Sequence, residues 1–85
     1  MAFIEIYTRG WCGYCRMAKQ LLAAAAVDYT EYEISGDPGR EREMIRRSGR
    51  TSVPQIFVDG MAIGGFVELT RFGDIAGLAR DRNQD

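Results

Sequence analysis

The chain has 85 residues, a formal net charge of −1 and a 46% share of hydrophobic residues. This is room for one small domain, residues 1–85, with a modest core, and the composition argues against disorder. A near-neutral charge gives no reason to expect a nucleic acid or a membrane as partner, and the longest apolar run, Leu21 to Val27, is far too short to span a bilayer.

The opening residues, Met1-Ala2-Phe3-Ile4-Glu5, contain no basic region and no long apolar segment. They do not read as a signal peptide, so a cytoplasmic protein is expected. Phe3 to Tyr7 is rich in strand formers and ends at the turn-like Thr8-Arg9-Gly10. It reads as a first, central strand. A helical pattern follows Trp11 and Cys12: Tyr14, Met17, Ala18, Leu21, Leu22 and Ala25 recur at the spacing of a helix face, and Ala23 to Ala26 adds helix propensity. Cys15, Ala18 and Leu22 share a face, so Cys15 is expected to point inward and Cys12 to remain reachable.

Val27 to Ile34 alternates at its centre and reads as a half-buried strand, parallel to the first across the intervening helix. Asp37 and Pro38 predict the start of a second helix, and Gly49 its left-handed stop after Ser48. Met44 and Ile45 are its core positions, while the mixed charges of Arg40 to Arg50 read as a solvated face. Val53 to Val58 is a third strand with Pro54 at its beginning. Asp59-Gly60 is a hairpin turn leading to a short fourth strand, Met61-Ala62-Ile63. Gly64-Gly65 reads as a flexible turn. Val67 to about Asp74 is expected to be helical, with Leu69, Phe72, Ile75 and Leu78 as core contacts and Gly73 and Gly77 weakening or breaking the helix. Residues after Arg80 are polar and expected to fray. The order β-α-β-α-β-β-α specifies an α/β fold, a four-stranded mixed sheet with helices on both faces.

The only two cysteines stand in Cys12-Gly13-Tyr14-Cys15, and there is no histidine. On a helix, positions i and i+3 share a face, so the two sulfurs can close a short ring and reopen it. A thiolate at a helix start is favoured by the unpaired backbone N–H groups and the positive end of the dipole. In an intracellular chain such a pair points to thiol–disulfide exchange or metal binding rather than a structural staple. The missing histidine removes Cys–His catalysis and His-ligated zinc, and two cysteines leave too few ligands for a zinc knuckle in one chain.

Tyr7 to Arg9, Cys12-Gly13-Tyr14-Cys15, Ser52-Val53-Pro54 and Gly64-Gly65 together resemble a glutaredoxin, a member of the thioredoxin superfamily, over nearly the whole chain. The resemblance implies a thioredoxin-like fold and a glutathione-dependent disulfide oxidoreductase. It implies Cys12 as nucleophile, with the helix start and Arg9 stabilising its thiolate, and Cys15 as resolving thiol. It implies a cis Val53-Pro54 bond that offers the Val53 backbone to glutathione, with Ser52 where the family usually has Thr. Backbone contacts from Gly65, Phe66 and Val67, the ring of Tyr14, and Arg9 for the glycine-end carboxylate would complete the glutathione site. Trp11 would shield that groove or fill the core. In the family the positions after the glycines usually include an Asp for the γ-glutamyl end. Here they read Phe66-Val67-Glu68, which leaves that contact open. Many dithiol members carry Pro where this chain has Gly13. Members with Gly or Ser there can resemble carriers of a [2Fe–2S] cluster, held by two chains and two glutathiones, with Cys12 as the one ligand from each chain. The expected partners are glutathione and proteins carrying a disulfide or a glutathionyl group, the chain acting as a monomer unless a cluster bridges two copies. A third reading is an electron donor fed directly by a flavoprotein reductase.

Overall fold

The computed structural model describes residues 2–80, and the expected fraying after Arg80 lies outside them. The first strand, β1, is Ile4–Thr8 and is buried along its whole length, as a central strand should be. Its pleat sends successive residues to opposite faces. Ile4 and Ile6 join Ala18, Leu22, Ile56, Leu69 and Leu78 in one core cluster, whereas Tyr7 joins Ile34, Met44 and Phe57 in the other. The sheet therefore has packing on both sides.

Helix α1, Gly13–Ala24, supplies Ala18 and Leu22 to the first cluster, and α2, Pro38–Ser48, supplies Met44 to the second. Asp37 caps α2 by accepting from the Arg40 N–H at 3.0 Å, Pro38 fills its first turn, and Gly49 closes it at φ +72°. Strand β2 is Thr30–Glu33, shorter than the predicted Val27–Ile34. Val27 instead belongs to the exit of α1: Ala26 is left-handed at φ +59°, and the Val27 N–H returns to the Leu22 carbonyl at 2.9 Å.

Strands β3, Gln55–Val58, and β4, Met61–Gly64, form a hairpin, and the sheet order is β2-β1-β3-β4. β1 runs parallel to β2 and antiparallel to β3. Asp59 and Gly60, at φ +51° and +83°, give the turn the positive φ pair of a type I′ hairpin. The register slips by one residue between Ile56 and Phe57, so Ile56 faces Gly64 while Phe57 faces Ala62. Gly64 is thus the end of a strand rather than part of a free turn.

The last predicted helix is two, α3 at Phe66–Thr70 and α4 at Ile75–Arg80. Gly73, at φ +95°, lies in the break. Leu69 and Leu78 are buried as expected, but Phe72 falls in the break, outside either helix, and is 37% exposed. The Ala2 N–H donates to the Leu78 carbonyl at 2.9 Å and ties the start of the chain to α4.

The basic face of α2 also departs from expectation. Arg47 reaches back across the sheet to Glu5 at 2.8 Å and to the Tyr7 hydroxyl at 2.7 Å, with its guanidinium carbon 4.0 Å from the Phe57 ring centre. The Tyr32 hydroxyl donates to the same Glu5 carboxylate, and the Tyr7 hydroxyl donates to Glu43. A mixed-charge run on a surface helix hides this because Glu5 sits on a strand far away in sequence. Burial and the Glu43 carboxylate push the Tyr7 hydroxyl up to about 12.

Candidate active site

Cys12 is the N-cap of α1, in extended backbone at φ −84° and ψ 113°. Its sulfur accepts the Cys15 N–H at 3.1 Å, one of the N–H groups a helix start leaves unpaired. From the other side, the thiol donates to the Val53 carbonyl at 3.7 Å. Cys12 is partly accessible and Cys15 is buried, and both thiols are free. Burial in the α1 face pushes the Cys15 thiol up to about 12, helped by its hydrogen bond with Cys12 and opposed by the Arg9 backbone N–H. The chain therefore presents one reachable sulfur and keeps a second, protonated one directly behind it.

The Val53–Pro54 bond is cis. Ser52, Val53 and Pro54 form one wall of a groove of about 200 Å³, and Gly65, Phe66 and Val67 form the facing wall. Tyr14 stands beside it with its ring 5.9 Å from that of Phe66. The walls approach closely: a Cβ on Gly65 would lie 3.1 Å from the Pro54 carbonyl oxygen. Cys12 meets the groove at the Val53 carbonyl.

Seven of the predicted binding residues thus line one groove, and Arg9 does not. Its guanidinium is paired with Glu41 at 2.7 Å and lies over Trp11 at 5.9 Å from the ring centre. Sequence reasoning missed Glu41 because it lies on α2, read as a solvated face. It also missed Arg50 and Gln55, which line the groove. Their signal was position alone, two residues before Ser52 and one after Pro54. The Ser52 hydroxyl and carbonyl both receive the Gln55 amide, at 3.3 and 2.9 Å.

Glu68 is in the groove wall, but its carboxylate turns back to accept the Gly65 N–H at 2.7 Å, as the third-position glutamate of a helix start commonly does. That hydrogen bond holds its carboxyl below the usual carboxylate range, with Arg50 contributing from 3.7 Å. Val67 presents an apolar side chain, 49% exposed. Trp11 is 73% exposed, so it fills no core. Tyr14 and Met17, placed by helical spacing on the apolar stripe, are exposed beside Gly13 and line a second apolar depression with it. Spacing does not separate the core stripe of α1 from this adjoining apolar strip.

Among the described residues, no three His, Cys, Asp or Glu side chains gather to hold a metal ion. No helix among them is long and apolar enough to cross a membrane.

The family model for glutaredoxin matches residues 4–63. Glutaredoxin 3 of Escherichia coli K12 is 47% identical over 78 residues, 92% of this chain and 94% of that protein. The solution structure of a glutaredoxin from Brucella melitensis is 40% identical with a TM-score of 0.75, covering 92% of this chain and 85% of that one. The holo form of glutaredoxin C1 from Populus tremula x tremuloides is 27% identical with a TM-score of 0.78, covering 94% and 85% of the two chains.

Proposed function

The chain belongs to the glutaredoxin family and is a thiol–disulfide oxidoreductase; we propose that it uses glutathione as co-substrate, with Cys12 as nucleophile and Cys15 as resolving thiol. The observation that carries this reading is the contact of the Cys12 sulfur with the carbonyl of Val53, a residue of the groove wall, at 3.7 Å.

In the first step the Cys12 thiolate attacks the glutathionyl sulfur of a mixed disulfide. A Cys12–glutathione bond forms, and the other thiolate leaves with its electron pair. A second glutathione thiolate then attacks the bound glutathionyl sulfur, and Cys12 is regenerated. Glutathione is a short peptide, and Val53 offers it backbone N–H and C=O groups in the manner of an added strand. Ser52, Tyr14, Gly65, Phe66 and Val67 surround it. Arg50, on the groove wall and held by Glu68 only at 3.7 Å, is the groove's own cation for a carboxylate, whereas Arg9 is off the groove and held by Glu41 at 2.7 Å. With a protein disulfide, the Cys12 thiolate attacks one sulfur and forms a mixed disulfide, Cys15 attacks Cys12 and releases the protein as a dithiol, and two glutathiones reduce the Cys12–Cys15 bond and leave as oxidised glutathione.

A second reading has one observation in its favour. Nothing lies within 4 Å of a Cβ built on Gly13, so the space beside Cys12 is open. A [2Fe–2S] cluster there would take Cys12 from each of two copies and two glutathione thiolates. Anaerobic purification with glutathione separates the readings: a brown, dimeric product supports the carrier.

The oxidoreductase reading is tested by coupled reduction of a small glutathione mixed disulfide with NADPH and glutathione reductase. Activity is expected in the wild type and in Cys15→Ser, and is expected to vanish in Cys12→Ser. A wild type without activity overturns the glutathione reading.

A further inference from the structure

Cys15 and Lys19 are four residues apart in α1, so their side chains lie one above the other on one strip of the helix. Lys19 Nζ meets Glu31 Oε2 of β2 at 2.9 Å. The same oxygen accepts the Thr8 hydroxyl of β1 at 2.6 Å, and Thr8 is buried. The next residue, Arg9, directs its backbone N–H to the Cys15 sulfur. The charged and titratable groups around that sulfur are therefore Cys12 at the helix start and Lys19 one turn along. Behind Lys19 stand Glu31 from β2 and Tyr29 from the segment before it.

Both members of the pair stay charged through the neutral range. The Glu31 hydrogen bond strengthens the hold of Lys19 on its proton. Burial pushes the Glu31 carboxyl up, but the Thr8 hydroxyl and the Lys19 ammonium outweigh it and keep it low. The cation thus shares the helix strip of the thiol, and the anion that holds it comes from β2. None of these groups touches the groove.

We propose that Lys19 and Glu31 are positioning residues of opposite sign for the resolving step: the ammonium promotes ionisation of Cys15, and the carboxylate restrains it. The inference rests on the dithiol reading. In the step concerned, Cys15 releases its proton to water and its thiolate attacks the Cys12 sulfur of a Cys12 mixed disulfide. The Cys12–Cys15 bond forms, the bond from Cys12 to the bound thiol breaks, and that thiol leaves as a thiolate. The mixed disulfide is the only oxidant required.

Lys19→Met and Glu31→Gln both delete the same ion pair. A purely structural pair predicts that both variants change the resolving step in the same direction. The electrostatic pair predicts opposite directions, because one variant removes a positive charge and the other a negative one.

The test mixes reduced protein with one equivalent of an aromatic disulfide that releases a coloured nitrothiobenzoate. The first release reports attack by Cys12, and the second reports attack by Cys15. Their rates are followed across the pH range by stopped flow. In Lys19→Met the second release is expected to slow by about threefold to tenfold near neutral pH, its profile displaced upward. In Glu31→Gln it is expected to quicken, its profile displaced downward, and Lys19→Arg restores the wild-type profile. The first release is expected to be unchanged in all three. Equal profiles, or displacement of both variants in one direction, overturn the proposal. A wild type with no second release overturns the dithiol reading itself, and this inference with it.

Discussion

Val67→Asp tests the account of the groove. Val67 is half exposed on the groove wall, at the second position of α3, and Glu68 beside it is already occupied by the Gly65 N–H. The groove therefore lacks a carboxylate free to meet the ammonium of a γ-glutamyl group. An aspartate at this position stands in the first turn of a helix, where a negative charge is tolerated or mildly stabilising. Its new contact is a charge-assisted hydrogen bond in a half-exposed setting, about 0.5–1.5 kcal/mol. That converts to about twofold to tenfold in binding. In the coupled assay the KM for the glutathione mixed disulfide is expected to fall by that factor with kcat unchanged, the signature of a contact made equally in ground and transition states. A substrate analogue lacking the α-ammonium is expected to show no gain. An unchanged or raised KM in a folded variant refutes this placement of the γ-glutamyl end.

Gly64→Ala is expected to lower the melting temperature, at a cost of about 1–3 kcal/mol, because its Cβ would lie 2.6 Å from Glu68 Cγ on a backbone at φ +114°; an unchanged thermal melt contradicts that packing. Arg47→Met leaves Glu5, 7% exposed, without its cation. A loss of about 2–4 kcal/mol is expected by urea unfolding, toward the lower part of the range for broken buried pairs. The hydrogen bond from Arg47 holds the Glu5 carboxyl below its ordinary value, with Tyr32 helping and burial opposing. Since the folded value is the lower one, this stabilisation is present above the unfolded value and is lost as pH falls through the folded one. The urea midpoint is thus expected to drop as pH falls below about 5, with a shallower drop in Glu5→Gln; parallel curves for the two proteins contradict the linkage.

The fold was legible because its signals are local. Asp37, Pro38 and Gly49 bracket α2, Asp59-Gly60 fixes the hairpin, and the inward face of Cys15, Ala18 and Leu22 follows from helical spacing. The groove was legible through two separated motifs, Ser52-Val53-Pro54 and Gly65-Phe66-Val67, that the sheet brings together. What escaped depends on long-range partners. Arg9 reads as a free cation until α2 places Glu41 against it, and Arg47 reads as solvated until β1 places Glu5 beneath it. Glu68 carries a charge whose use depends on whether the Gly65 N–H has another acceptor, which no local pattern decides. Met17 reads as a core residue, and Trp11 as either core or groove shield, because an apolar side chain beside an active site has the same composition as one inside the protein.

The claim that Cys12 alone carries the glutathionyl group is tested most directly by intact mass of Cys15→Ser and Cys12→Ser, each left with a single cysteine, after incubation with oxidised glutathione. One glutathionyl group is expected on Cys15→Ser, released by reduced glutathione, and none on Cys12→Ser. No adduct on Cys15→Ser, or an equal adduct on Cys12→Ser, would contradict it.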